Sequence, residues 1–171
     1  MKIRAVACGV IAVACLGISF GGAARGSAQT AAPANDNFAS ATVLTGQNAT
    51  RAGDTNVDAT LETGESTTVA GSTGGASVWY SWTAPVDGLV RIDTLGSDFD
   101  SLLGVYTGSS VGSLAELASN DDCCGGLTSR VRFEAVSGTT YRIRVDGFNG
   151  DGGNIDLAVF ETQNPANDDF S

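Results

Sequence analysis

The segment RVRFEAVSGTTYRIRVD, residues 130–146, decides the fold class. In each half every second residue is apolar: Val131, Phe133 and Ala135 in the first half, and Tyr141, Ile143 and Val145 in the second. Alternation with a period of two predicts antiparallel strands that bury one face and expose the other. The four-residue link Ser-Gly-Thr-Thr is short enough for a hairpin, so we expect the two strands to be neighbours.

Similar short runs, divided by Gly, Asp, Asn and Ser, occur on both sides of this segment. They are Ser77–Thr83, Leu89–Thr94, Leu102–Tyr106, Leu114–Ala118 and Ile155–Phe160. Asn37–Val43 fits either one helical turn or a first strand, and no stretch after residue 45 has an apolar stripe of helical period. About eight strands at this spacing predict an all-β fold, an antiparallel β-sandwich of jelly-roll type.

The first 28 residues have the features of a secretory signal peptide. Lys2 and Arg4 precede an apolar run over residues 5–20, and the small residues at 26–28 form a cleavage site. The run is shorter than the ~20 residues that a membrane-spanning helix needs. We therefore expect a secreted or cell-surface protein, with no membrane insertion once the signal peptide has been cleaved.

Charge and composition exclude several function classes. The chain of 171 residues has a net charge of −10, which becomes −13 when Lys2, Arg4 and Arg25 are removed with the signal peptide. A chain this acidic lacks the basic footprint that nucleic-acid binding requires, so we expect no nucleic-acid partner. The sequence contains no His, which removes the usual general base and the commonest metal-binding nitrogen.

A short repeat indicates the domain organisation. The string at residues 33–39 recurs at residues 165–171 with five of seven positions identical, an offset of 132 residues. An offset of one domain length predicts a tandem array. We expect a signal peptide at 1–28, a linker at 29–34, one β-sandwich domain at 35–162, and the start of a second, truncated repeat at 163–171.

Several strings together resemble the bacterial pre-peptidase C-terminal (PPC) domains. They are Asn35–Phe38, Ser77–Pro85, Gly96–Leu103, Ser119–Asp122 and Tyr141–Gly147. The resemblance implies a non-catalytic jelly-roll module attached to secreted proteases and other extracellular proteins. The collagen-binding domains of bacterial collagenases are similar and bind calcium near their N-terminal linker. The sequence has no recognisable peptidase region.

The resemblance also suggests one set of calcium ligands. In the calcium-binding relatives the ligands come from the N-terminal linker and an early acidic loop, and the matching positions here are Asn35, Asp36, Glu62 and Glu65. Carboxylate and carbonyl oxygens in Asp-rich loops suit calcium, which takes six to eight of them. The alternative is that these residues form turns and add solubilising charge. No organic cofactor is expected.

A second acidic set is a weaker candidate for a cation site. Asp98 and Asp100 are two residues apart, so they point the same way on an extended segment, and Asp121 and Asp122 end a predicted strand. The set forms either a second cation site or caps on two turns, and we favour caps.

Cys123 and Cys124 are the cysteines that remain after signal cleavage. In an oxidising compartment they form a strained vicinal disulfide, bridge to other copies of the domain, or stay free. We favour the vicinal disulfide, which would stiffen the loop around it.

Five further residues are candidate ligand contacts. They are Trp79, Arg130, Arg132, Arg142 and Arg144. An exposed Trp79 would stack on a sugar ring, whereas a buried one would pack under a loop. The arginines either form a basic stripe for an acidic glycan or carboxylate partner, or pair across strands with Glu134 and Asp146.

The sequence as a whole predicts a secreted, non-catalytic binding, adhesion or substrate-targeting module from a tandem array, with calcium as a stabiliser. Its expected partners are an extracellular protein or polysaccharide and neighbouring repeats of the same chain. The alternatives are a structural spacer or maturation segment of a larger exoenzyme and, less favoured, a small hydrolase that uses paired carboxylates.

Overall fold

The computed structural model describes residues 31–163. The predicted signal peptide lies outside the described residues, and so does the predicted second repeat at 163–171 except for its first residue, which ends the last strand. Within residues 31–163, no helix is long and apolar enough to cross a membrane.

Strands make up about half of the described chain, and the remaining residues lie in turns and loops. The eleven strands of residues 31–163 are β1 (Thr42–Leu44), β2 (Asn48–Thr55), β3 (Thr68–Val69), β4 (Ser72–Thr73), β5 (Val78–Thr83), β6 (Gly88–Asp93), β7 (Ser101–Thr107), β8 (Ala115–Asn120), β9 (Arg130–Ala135), β10 (Thr140–Gly147) and β11 (Asn154–Gln163). Short 3-10 turns lie at Phe38–Ser40, Val111–Ser113 and Phe148–Gly150. The segment 37–43 therefore contains both a turn and the start of a strand.

The strand order confirms the predicted jelly-roll sandwich. One sheet has the order β1-β5-β10-β7-β8 and the other β2-β11-β6-β9, while β3 and β4 form a small separate hairpin. Eight strands have six or more residues. Taken in chain order, the outermost of these pair with each other and so on inward: β2 with β11, β5 with β10, β6 with β9, and β7 with β8. This is the order of one long antiparallel hairpin rolled into two sheets.

The predicted hairpin between β9 and β10 is wrong. β9 pairs with β6 in the four-stranded sheet, whereas β10 lies between β5 and β7 in the five-stranded sheet. The link at 136–139 crosses from one sheet to the other through a tight turn, in which the Thr139 amide donates to the Val136 carbonyl at 3.0 Å. The crossing is held by the Val136 amide, which donates to the Tyr141 hydroxyl at 2.8 Å.

The two sheets bury one continuous apolar core between them. Many of its fully buried side chains come from alternate positions of the long strands: Tyr80, Trp82, Ile92, Leu103, Ile143, Ile155 and Leu157. The Trp82 indole donates to the Gly46 carbonyl at 2.8 Å, so this deeply buried polar group has a partner.

The outer faces of the two sheets differ, which the alternation alone did not predict. Five of the six residues of β5 are buried, on both faces, whereas β9 keeps exposed polar positions. The outer face of the five-stranded sheet is covered by the Phe38 turn and by the loop before β5. A second aromatic cluster forms there: the Trp79 ring centroid lies 5.2 Å from that of Phe38 and 6.1 Å from that of Tyr106.

Candidate functional site

The first two residues of the proposed calcium set hold the entrance of the domain to the sandwich. The Asn35 side-chain amide donates to the Trp79 carbonyl at 3.1 Å, and the Trp79 amide donates to the Asn35 carbonyl at 2.9 Å. The Asp36 carboxylate accepts from the Thr60 amide at 2.6 Å and from its hydroxyl at 3.1 Å. Both side chains therefore make hydrogen bonds that hold the backbone, to residues distant in the sequence.

The other two residues of that set also hold backbone amides. Glu62 accepts from the Phe38 amide at 2.7 Å, and Glu65 accepts from the Glu62 amide at 3.1 Å. The second Glu65 oxygen pairs with Arg144 at 3.0 Å, and burial raises the Glu65 pKa although Arg144 opposes the rise. Within residues 31–163, the carboxylates of Asp36, Glu62 and Glu65 do not form a group with oxygens mutually within 4.8 Å.

Asp98 caps a turn. Its two carboxylate oxygens accept from the backbone amide of Asn154 at 2.6 Å and from its side-chain amide at 2.7 Å. These hydrogen bonds lower the Asp98 pKa because they stabilise the ionised form. Asp98 therefore separates from the other acids with which the sequence grouped it.

The remaining three acids of the second set come together. Asp100 ends the β6–β7 loop, Asp121 and Asp122 begin the β8–β9 loop, and their carboxylate oxygens lie mutually within 4.8 Å. In the described part of the chain, the Asp100 Oδ1 atom is buried and has no hydrogen-bond partner. The Asp100 pKa is raised, first by burial and then by the charges of Asp122, Asp121 and Asp151. We call Asp100, Asp121 and Asp122 the acidic cluster.

Ser129, which the sequence did not single out, positions this cluster. Its fully buried hydroxyl lies within hydrogen-bond distance of the carbonyls of Ser101, at 2.6 Å, Asn120, at 2.9 Å, and Asp121. The Ser129 amide donates to the Thr94 hydroxyl at 2.8 Å. These contacts join the two loops, but a serine in a polar loop has no sequence signal that distinguishes it from an exposed one.

A polar groove runs beside the acidic cluster. It has a volume of about 540 Å3 and lies between the β3–β4 hairpin and the end of β8. The Ser72 hydroxyl donates to Asp121 at 2.5 Å and ties the hairpin to the cluster.

The adjacent cysteines form the tip of the same loop. Cys124, with φ +61°, and Gly125, with φ +83°, are the central residues of a tight turn closed by the Gly126 amide on the Cys123 carbonyl at 3.0 Å. The two thiols are free, with Sγ atoms 2.6 Å apart, so the vicinal disulfide stays a prediction. Burial, followed by the Cys124 thiol, raises the pKa of Cys123 to about 11.

Trp79 and Arg144 are not at the surface, since each is 1% exposed. The Arg144 guanidinium pairs with Glu65 at 3.0 Å and with Asp146 at 2.5 Å, and donates to the Ser66 carbonyl at 2.8 Å. Trp79 therefore takes the second of its two alternatives, since it is buried and packs against Phe38. Burial removes Arg144 from the solvated face on which the sequence placed the arginines. The pairing of Arg144 with Asp146 occurs, but within one strand and inside the protein.

The other three candidate arginines lie on two different sheets. Arg142 covers the Phe38 ring on the five-stranded sheet, with its Cζ atom 4.9 Å from the ring centroid. Arg130 and Arg132 lie on the outer face of the four-stranded sheet. The four arginines do not form a single stripe, the first of the two alternatives, because β9 and β10 belong to different sheets.

Two residues that the sequence did not single out join Arg130 and Arg132. Arg91 on β6 lies directly opposite Arg132, and its Cζ atom stands 4.3 Å from the centroid of the Phe160 ring. Asp93 pairs with the Nε atoms of Arg91, at 3.0 Å, and Arg130, at 3.4 Å. Strand alternation places Arg91 outward, but its two partners follow only from the strand order.

No protein-family model and no curated protein matches the sequence. Among solved structures, the chain aligns with the GH26-CBM35 β-(1,4)-mannanase of Podospora anserina at 12% identity and a TM-score of 0.33. The alignment covers 73% of this chain and 30% of that chain, so this chain spans less than a third of that protein. At this TM-score the likeness does not extend to function, and the resemblance to PPC domains stays a prediction.

Proposed function

We propose that this protein is a secreted, non-catalytic binding module of a tandem array, PPC-like in type, with calcium holding its loop end. The observation that supports calcium is the acidic cluster, in which two loops distant in sequence bring three carboxylates together. A module of this kind presents a binding surface on a rigid sandwich and needs its loops fixed in place.

The cluster fits a divalent cation better than it fits an unliganded turn. Three carboxylates within 4.8 Å repel one another, and the buried Asp100 oxygen has no donor among the described residues. Calcium accepts six to eight oxygen ligands in flexible geometry, and Asp100, Asp121 and Asp122 would supply the charged ones. The entrance set is the less suitable place, since its carboxylates accept from backbone amides or pair with Arg144.

The Asp100→Asn variant tests whether calcium binds the acidic cluster, because its effect on the melting temperature should change sign when calcium is added. Without calcium the variant should melt higher than the wild type at pH 7, because it removes one of three repelling charges. With calcium the order should reverse, because ligand binding stabilises the wild type by about 2.7 kcal/mol at a hundredfold excess over Kd. Extracellular sites have Kd values of ~10⁻⁴–10⁻³ M, so the thermal titration must reach tens of millimolar calcium.

Three controls separate a specific site from screening of an acidic surface. Magnesium and matched sodium chloride report screening alone. Glu134→Gln makes the same charge change at an exposed position of β9 outside the cluster, and should keep the full calcium response. Glu62→Gln with Glu65→Gln tests the entrance set. Equal shifts from calcium and magnesium would overturn the calcium proposal, and a response lost only in the entrance variant would move the site there.

The non-catalytic part of the proposal has its own test. The Asp98 carboxylate, one of the acids that a hydrolase would use, is held by the backbone and side chain of Asn154. The purified chain should therefore show no turnover on a panel of glycoside, ester and peptide substrates. Turnover that disappears in Asp98→Ala would establish the hydrolase alternative.

A further inference from the structure

Four residues in register form a row across the outer face of the four-stranded sheet. They are Asn48 on β2, Phe160 on β11, Arg91 on β6 and Arg132 on β9. Neighbouring strands lie about 4.8 Å apart, so the row is about 14 Å long. Phe160 is 37% exposed, a high value for an aromatic side chain in the middle of a sheet. We call these four residues the transverse row.

Arg91 is held in position from two sides. Asp93 pairs with its Nε atom, and the guanidinium stacks over the Phe160 ring. No Nη atom of Arg91 is hydrogen-bonded to any described residue, and 37% of its side chain remains exposed. A guanidinium fixed in this way loses little conformational entropy when its free edge binds an anion.

The charges on this face are unfavourable for the fold alone. Arg91 and Arg132 are directly opposite each other, and like charges in that position destabilise a sheet. In the transverse row and the two rows beside it, three arginines meet only two acids, Asp93 and Glu134. The region after the signal peptide has only six arginines and a net charge of −13, so three arginines on one face are a local concentration. An anionic ligand would remove the repulsion.

The chemistry of the row indicates an acidic polysaccharide. Guanidinium forks pair bidentately with carboxylates, and an exposed aromatic ring packs against the apolar face of a sugar. A nucleic acid, with one charge per about 1.7 Å of duplex axis, would be repelled by the rest of this acidic chain. An acidic polypeptide would use the arginines but would have no need of Phe160.

We propose that the transverse row binds a carboxylate-bearing polysaccharide, with carboxylates on Arg91 and Arg132 and a sugar ring against Phe160. This inference rests on the proposed binding function and names its ligand class and its surface. A chain crossing the strands along the row would meet an amide, an aromatic ring and two guanidinium groups in succession.

Binding of sodium polygalacturonate to the purified chain tests the proposal by calorimetry, in EDTA because calcium cross-links polyuronates. Arg132→Gln should weaken binding about tenfold, the effect of one charge-assisted pair, without altering the fold, since no described residue forms an ion pair with Arg132. Arg91→Gln should weaken binding at least as much, and Phe160→Leu should weaken it while leaving its salt dependence unchanged. Arg51→Gln, which makes the same charge change elsewhere, should bind like the wild type.

Competing ligands decide between the outcomes. Fully methyl-esterified polygalacturonate, which lacks the charge, should not bind, and poly-glutamate should bind more weakly than polygalacturonate and be insensitive to Phe160→Leu. Equal binding of poly-glutamate, or no binding of polygalacturonate, would overturn the proposal. Because this assay contains no calcium, its failure leaves the calcium titration intact, and a negative calcium titration leaves this surface intact.

Discussion

Strands β9 and β10 carry the same Arg-x-Arg pattern, yet their arginines have opposite environments. Arg144 is 1% exposed and lies among two carboxylates and a carbonyl, whereas Arg132 stands on an open sheet face without an ion pair among the described residues. Both strands alternate apolar and polar residues with the same period. The pattern of a strand therefore predicts which residues face away from the core, and the segment that covers the sheet decides whether those residues are buried.

The covering segment is the loop between β2 and β5. It supplies Glu65 and the Ser66 carbonyl to Arg144, and the amides of Gly75 and Ala76 to Asp146, at 2.9 and 2.7 Å. Burying charges costs several kcal/mol per ion unless partners compensate, and here each charge has one. Among residues 31–163, no comparable segment lies over Arg91 and Phe160, both of which keep 37% exposure.

Replacing each arginine by methionine should give the largest difference between the two faces. Arg144→Met leaves Glu65 and Asp146 as buried carboxylates without a counter-charge, and we expect a loss of about 3–5 kcal/mol in the free energy of unfolding. Arg132→Met should stay within about 0.5 kcal/mol, because it removes an exposed charge. Urea unfolding of both variants measures the two values. Similar losses of unfolding free energy in the two variants would show that the ion pairs of Arg144 with Glu65 and Asp146 do not stabilise the five-stranded sheet.

The class of fold was predictable from local pattern, whereas the pairing of strands was not. Val131, Phe133, Ile143 and Val145 point inward as their alternation predicts. The error concerned the link at 136–139, which is short enough for a hairpin and also long enough to cross the sandwich. Such a choice depends on long-range pairing with β6 and β5, which no local propensity encodes.

The predicted second acidic set was only partly correct, again because contacts between residues distant in sequence decide which side chains meet. Asp100, Asp121 and Asp122 were in the predicted second set, but Asp98 separated from them because Asn154, 56 residues away, supplies both its donors. The sequence did not identify Arg91 as a candidate, because its strand has a single arginine and its partner Phe160 lies 69 residues further along the chain. Residues that meet across strands are found only when the strand order is known.

A smaller effect is expected from adding a methyl group at Gly104, on β7 of the five-stranded sheet whose outer face is covered. A Cβ atom there would lie 2.3 Å from the Tyr106 hydroxyl and 2.7 Å from its ring, since the ring folds back over the glycine. Gly104→Ala should destabilise the protein by about 1–3 kcal/mol, the usual effect of overpacking. Gly126→Ala, where no atom lies within 4 Å of the added Cβ, is the matched control and should be neutral. A neutral Gly104→Ala would mean that Tyr106 moves aside and that the covering is loose.

The smallest effect concerns Glu161 on β11. Glu161 is a buried acid that, unlike Arg144, has no oppositely charged partner among the described residues. Its side chain is 6% exposed, and neither carboxylate oxygen accepts a hydrogen bond of normal geometry within the described residues. Burial first, and then the charge of Asp87, raise the Glu161 pKa above its ordinary value, and the Val86 amide offsets only part of the rise.

Glu161→Gln should therefore stabilise the protein, by about 0.5–1 kcal/mol at pH 7, because it removes a charge that burial makes unfavourable in the folded state. A raised folded-state pKa means that ionisation opposes folding, so the wild type gains stability relative to the variant as the pH falls through that pKa. Below the ordinary glutamate pKa both states are protonated, and the two proteins should be equally stable. Urea unfolding between pH 7 and pH 4 measures this difference. A gap that is constant with pH would show that the carboxylate charge is compensated, and that Glu161, like Arg144, has a partner that stabilises it.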